Sequence, residues 1–149
     1  MLYVAVSNAG VSQPYFMPSG LAIIYNECLS KILITFIKKC HVNGNYIFWS
    51  DKASAHYAKG TKDFLISKNI PFVSKDRNPT NLPQCRPIEY FFGELSSLVC
   101  LRARNMKQLM TRIRKCLKKM NRNGVQKACA TVKTKLRNVA DHGPYFVNH

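Results

Sequence analysis

The stretch Trp49–Leu95, WSDKASAHYAKGTKDFLISKNIPFVSKDRNPTNLPQCRPIEYFFGEL, decides how this chain folds. It begins inside an apolar run, Tyr46–Ser50, that has the length of a buried strand covered on both faces and ends at Asp51. A turn over Lys52–Ser54, with Ser54 as N-cap, leads into a helix over 55–69 that is softened at Gly60. Ile70–Val73 reads as a further strand. The loop from Ser74 to Arg86 carries Pro79 and Pro83, and Pro87 stands where a proline opens a helix. That helix, 87–101, turns Ile88, Phe91, Phe92, Leu95 and Val99 toward a core. Strands alternating with helices predict an α/β layer structure.

Working outward toward the amino terminus, Leu2–Ser7 is rich in strand formers and Tyr15–Met17 has the makings of a second short strand. Gly20–Cys40 predicts an amphipathic helix closed by the turn Asn43-Gly44-Asn45. Glu27 and Lys31 fall in its middle, and its apolar runs are far below the roughly 18 residues of a membrane span. Toward the carboxyl terminus, Met106, Leu109, Met110, Ile113, Leu117 and Met120 recur at helical steps, with Arg112, Arg114, Lys115, Lys118 and Lys119 mostly off that stripe. A last helix, Arg122–Ala140, has Val125, Ala128, Val132, Leu136 and Val139 as its seam, and Asp141-His142-Gly143-Pro144 stops it.

With 149 residues, 46% of them hydrophobic, the chain can bury one core. Its charge is lopsided: 23 Lys and Arg against 7 Asp and Glu give +16. From Leu95 to Ala140 there are 13 basic residues and no acidic one, whereas a solvated lysine face ordinarily interleaves glutamate for pairing. A polyanion is the partner such a segment fits, with Arg102, Arg104, Lys107, Arg112, Arg114, Lys115, Lys118 and Lys119 as its contacts. The six cysteines never form a CxxC pair, which speaks against zinc and for reduced thiols. Five apolar residues after Met1, without a basic leader, are too few for a signal peptide.

Asp51 and Glu89 are the candidate chemistry. In an open α/β sheet, ligands gather beyond the carboxyl ends of strands, where Asp51 falls. The helix, strand and return loop between the two acids suffice to bring Glu89 back to that rim. Carboxylates brought together repel unless a cation lies between them, and a divalent metal there would activate an oxygen nucleophile against phosphorus. Simpler roles exist for each: Asp51 as a turn residue, Glu89 complementing a helix dipole, His56 packing at a helix start rather than touching a phosphate, and Trp49 in the core.

The joint wording decides between these. SDKASAHYA at 50–58 and NPTNLPQCRPIEYFFGEL at 78–95 resemble the catalytic domain of mariner-superfamily transposases. VSNAGVSQPYFMPSGLAI, NECLSKILITFI and TKLRNVADHGPY extend the resemblance over nearly the whole chain. Departures are mild: Ser54 and Thr80 stand where proline is common, and Phe92 where tryptophan is common.

The resemblance implies a ribonuclease H-like three-layer α/β fold, amino-terminally truncated, with extra basic carboxyl-terminal helices. Residues 1–104 would be a partial catalytic domain lacking its first two strands, and 105–149 a basic helical extension of it. The family uses three carboxylates to bind Mg²⁺ or Mn²⁺; Asp51 and Glu89 match two of them, and the first aspartate has no place after Met1. The expectation is a transposase-derived protein, inactive alone, that binds DNA in the nucleus, with an intact transposase subunit as a further partner and no membrane or small-molecule substrate. The alternative expectation is a non-catalytic basic nucleic-acid-binding protein.

Overall fold

The computed structural model describes residues 1–18, 22–79, 82–98 and 103–143. The chain divides into two units, Met1–Val4 with Tyr15–Thr80, and Ala5–Pro14 with Asn81–His149.

In the first unit, strands β1 (Leu2–Tyr3) and β4 (Tyr15–Phe16) pair antiparallel, Leu2 opposite Phe16 and Tyr3 opposite Tyr15. The expected Leu2–Ser7 strand is thus two strands. Only its first half pairs here, and β2 (Val6–Ser7) pairs with β3 (Gly10–Val11) in the second unit. The change of partner falls at Ala5, whose N–H is taken at 2.8 Å by the Ser12 hydroxyl, while Ser12 N–H bonds the Ala5 carbonyl at 2.8 Å. Gly10 closes the β2–β3 turn at φ +125°, a conformation that a side chain disfavours.

The helix expected over 20–40 is described from Ala22. It runs as α1 (Ala22–Cys28), a π-helical segment (Leu29–Ile34) and α2 (Thr35–Cys40), with every junction residue right-handed helical. Tyr25, Cys28, Leu29, Leu33 and Phe36 recur at three- and four-residue steps and are all buried along one face. Glu27 and Lys31, one turn apart, form an exposed ion pair.

Tyr46–Ser50 is not the strand buried on both faces that its composition predicts. Among the described residues its backbone pairs on one side alone, through a parallel bridge between Phe48 and Phe72 (Phe48 N–H to Pro71 O, 2.8 Å; Val73 N–H to Phe48 O, 2.9 Å). Ile47 accordingly stays 62% exposed. The helix after Asp51 breaks at Ala58 (ψ 146°) rather than at Gly60, giving α3 (Ser54–Tyr57) and α4 (Lys59–Ser67). Ser54 makes no cap bond; Ala53 precedes the helix, and Thr61 Oγ1 ties the break by bonding the Ala55 carbonyl at 2.9 Å.

The second unit is the β2–β3 hairpin, a 3₁₀ turn (Pro83–Cys85) and three helices: α5 (Pro87–Leu98), α6 (Met106–Lys119) and α7 (Arg122–His142). Its core is apolar, with Leu82, Phe91, Leu95, Ile113, Met120 and Val125 buried. The predicted stripes of α5, α6 and α7 therefore face inward, except Met106, which is 67% exposed in the first turn. Val99 lies outside the described residues. Asn105 caps α6, accepting from Gln108 N–H at 2.9 Å, while the Gln108 side chain accepts from Arg104 N–H at 3.2 Å. Asn121 caps α7 and Gly143, at φ +92°, ends it two residues later than the sequence suggests.

Among the described residues, no helix is long and apolar enough to cross a membrane.

Candidate functional site

Asp51 lies just after the bridged stretch Tyr46–Ser50, and the segment is fixed from below by a buried polar hub. Asn78, 1% exposed, donates from Nδ2 to the Ser50 carbonyl at 2.8 Å and toward Tyr57 Oη at 2.7 Å, and its Oδ1 accepts from Trp49 Nε1 at 2.9 Å. One side chain thus joins the residues before Asp51 to α3 and to the 74–79 loop. Trp49, expected in the core, is half-buried with its indole N–H committed to this hub. A buried amide with its donors and acceptor engaged adds specificity as well as stability.

Asp51 itself is oriented from two directions. Its Oδ1 accepts from Ala53 N–H at 2.8 Å, an Asx turn, and from His56 Nε2 at 3.0 Å. The His56 side chain is only 17% exposed, and its Nδ1 lies 2.5 Å from the hydroxyl of buried Tyr25. Burial, and secondarily the proximity of Tyr3, holds the Tyr25 hydroxyl far above the ordinary tyrosine range, so it keeps its proton. Tyr25 therefore donates to Nδ1, which leaves the ring proton on Nε2 to be donated to Asp51. Burial also lowers the His56 pKa from 6.5 and outweighs the raising influence of Asp51, so the ring in this chain of bonds is neutral.

Both His56 nitrogens are engaged within the protein. The expected phosphate contact at this position would have to replace one of these bonds. The Asp51 side chain remains 55% exposed.

Glu89 belongs to the second unit. It is the third residue of α5, exposed, with its N–H bonded to the Arg86 carbonyl at 3.1 Å. A carboxylate there complements the helix dipole. It also lines an open groove with Arg86, Tyr90, Lys127 and Lys135. A different acid ties the helices together: Glu94 Oε1 accepts from Asn121 N–H at 3.4 Å, linking α5 to the start of α7.

The basic candidates of the second unit lie on α6 and the turn before it. Lys107, Arg114, Lys115, Lys118 and Lys119 are exposed on the face away from buried Ile113; Arg104 is exposed and Arg112 half-buried. Arg102 lies outside the described residues.

Mg²⁺ or Mn²⁺ needs several oxygen donors close together. Asp51 is paired with His56, whose Nε2 carries a proton toward it, and no group of three His, Cys, Asp or Glu residues able to hold a metal occurs among the described residues. The described donors within either unit do not amount to a metal cage. Tyr25 and Asn78 were not legible as site residues. Tyr25 sits in an amphipathic helix pattern like any core aromatic, and Asn78, before Pro79, reads as a turn residue.

No family model and no curated protein matches the chain. Solved structures do. The chain is similar to the Mos1 mariner paired end complex with Mn, at 18% identity and a TM-score of 0.81, covering 97% of this chain and 44% of that one. It is similar to the catalytic domain of Mos1 mariner transposase at 18% identity and TM-score 0.81, over 97% of this chain and 74% of that one. The Mos1 transposase paired-end complex with left transposon end aligns at 19% identity and TM-score 0.77, covering 97% and 44%. The chain therefore has the fold of that catalytic domain, the ribonuclease H-like class expected from the sequence, and spans less than half the length of the full transposase chains it matches.

Proposed function

We propose that this chain is a mariner-type, transposase-derived protein that binds DNA by charge and does not cleave it alone. The observation that carries the reading is α6: an amphipathic helix with Lys107, Arg114, Lys115, Lys118 and Lys119 exposed, within a stretch from Leu95 to Ala140 that holds 13 basic residues and no acidic one. The fold shared with a transposase catalytic domain supports it, and so does the match of Asp51 and Glu89 to two of the family's three carboxylates. A divalent metal, where bound, would polarise the phosphoryl group and lower the pKa of an attacking water. The donor set described above does not fit that role, so no catalytic step is assigned to Asp51 or Glu89 in the isolated chain. A partner subunit of an intact transposase would be the source of further ligands, and residence in the nucleus follows from the DNA partner.

Binding of this kind depends on salt. With about six phosphates neutralised, log affinity falls with log salt at a slope of roughly −5. The test is fluorescence anisotropy on a duplex across a salt series. Replacing Lys107, Lys115, Lys118 and Lys119 by glutamine should weaken binding and flatten the slope by roughly 3 to 4. Unchanged affinity in that variant overturns the DNA reading. Nicking of supercoiled plasmid in Mg²⁺ or Mn²⁺ that disappears in Asp51→Asn overturns the non-catalytic one.

A further inference from the structure

The groove beside Glu89 has a composition that charge-only binding to a duplex does not use. Its walls come from the 3₁₀ turn, the start of α5 and one face of α7. Tyr90 is 47% exposed there, yet it is not loose: a Cβ built on Gly124 would lie 2.3 Å from Tyr90 Oη and 3.0 Å from the nearest ring carbons. The ring is thus laid against the α7 backbone where the helix lacks a side chain, and nearly half of the residue is left open to the groove.

Cations flank it. Lys127 and Lys135 are eight residues apart on α7, about 12 Å along one face, with small Ala128 and Thr131 between them. Lys135 Nζ is held at the groove by the Gln84 carbonyl at 3.1 Å, and Arg86 lines the same wall. Among the described residues that line the groove, Glu89 is the one carboxylate.

A fixed, half-open aromatic beside spaced cations is the arrangement that takes an unpaired base on the ring and its neighbouring phosphates on the charges. A base inside a duplex is stacked on its neighbours and offers no face to Tyr90, so the groove selects for unpaired nucleotides. We propose that the α5–α7 groove is a binding site for a short single-stranded nucleic-acid segment, with one base stacked on Tyr90 and phosphates on Lys127, Lys135 and Arg86. This rests on the reading that the chain binds nucleic acid, but uses residues separate from the α6 face.

The test measures anisotropy of the full chain with a labelled oligo-dT and, separately, with a duplex of equal length. Tyr90→Ala should weaken single-strand binding by roughly 5- to 100-fold and leave the duplex unaffected, while Tyr90→Phe, which keeps the stack, should bind like the parent chain. Lys127→Gln, at an exposed position, should lower the salt slope for the single strand by roughly 0.7. Equal single-strand affinity of Tyr90→Ala and the parent chain overturns the proposal. So does a loss in Tyr90→Ala that Tyr90→Phe shares, or one that is equal on both probes. Binding to duplex without binding to oligo-dT overturns this site while leaving the α6 reading standing; binding to neither overturns both.

Discussion

The two acids that the sequence pairs are held in opposite ways. Asp51 has its Oδ1 in two hydrogen bonds, a histidine locked in one tautomer behind it and a buried asparagine fixing the residue before it. Glu89 stands exposed in the first turn of a helix, with no hydrogen-bond or ion-pair partner for its carboxylate among the described residues. A carboxylate built into a bonded network is oriented whether or not a ligand comes. One that stands on a helix end is oriented only by its backbone and its rotamer. The difference teaches that matching motif positions do not imply equal preorganisation.

The contrast can be broken most forcefully at Asn78. Asn78→Ala removes the partners of Ser50 O, Tyr57 Oη and Trp49 Nε1 at a site only 1% exposed, and should cost about 2 to 4 kcal/mol in chemical denaturation. A loss below about 0.5 kcal/mol would mean that the hub does not hold the Asp51 segment.

Tyr25→Phe deletes one hydroxyl and should cost about 1 kcal/mol. Its sharper readout is the His56 ring: nitrogen NMR should find the Nε2–H tautomer in the parent chain and a mixture in the variant. A ring unchanged by the substitution would remove Tyr25 from the network.

Acid should act through the same histidine. Because the folded pKa of His56 is depressed below 6.5, the unfolded chain takes up its proton first. The stability tied to the neutral ring is complete above about pH 6.5 and is lost as pH falls through the folded value. Thermal melts between pH 7.5 and 5 should therefore decline in the parent chain more than in His56→Gln. Parallel declines would place the acid sensitivity elsewhere.

The smallest effect belongs to Glu89. Glu89→Gln should change stability by less than about 0.5 kcal/mol, since it removes one dipole interaction at an exposed position. A loss above about 1 kcal/mol would show Glu89 to be as embedded as Asp51.

The sequence was most legible where a single period governs. Ile113, Leu117 and Met120 on α6, and Val125, Ala128 and Val132 on α7, turn inward as their spacing demands, and Pro87 opens α5. Legibility failed where the answer depended on a neighbour. Leu2–Ser7 has uniform strand chemistry, but nothing in it says that the partner changes at Ala5. Tyr46–Ser50 is apolar enough for a central strand, yet burial requires cover on both sides, which composition cannot report. At the site, the position of Asp51 was readable, and its support was not. Tyr25 lies 31 residues from His56, and Asn78 lies 28 from Ser50.

The hairpin of β2 and β3 has a temporal consequence. Its strands pack against α5 and α7, so the residues that cover it come late in the chain. Between Pro14 and His142 a ribosome adding about 5 to 20 residues per second needs roughly 6 to 25 seconds. For that interval the hairpin waits without its cover, whereas the residues of the first unit are all made by Thr80. During synthesis the hairpin therefore stays without its packing partners until α7 has been made.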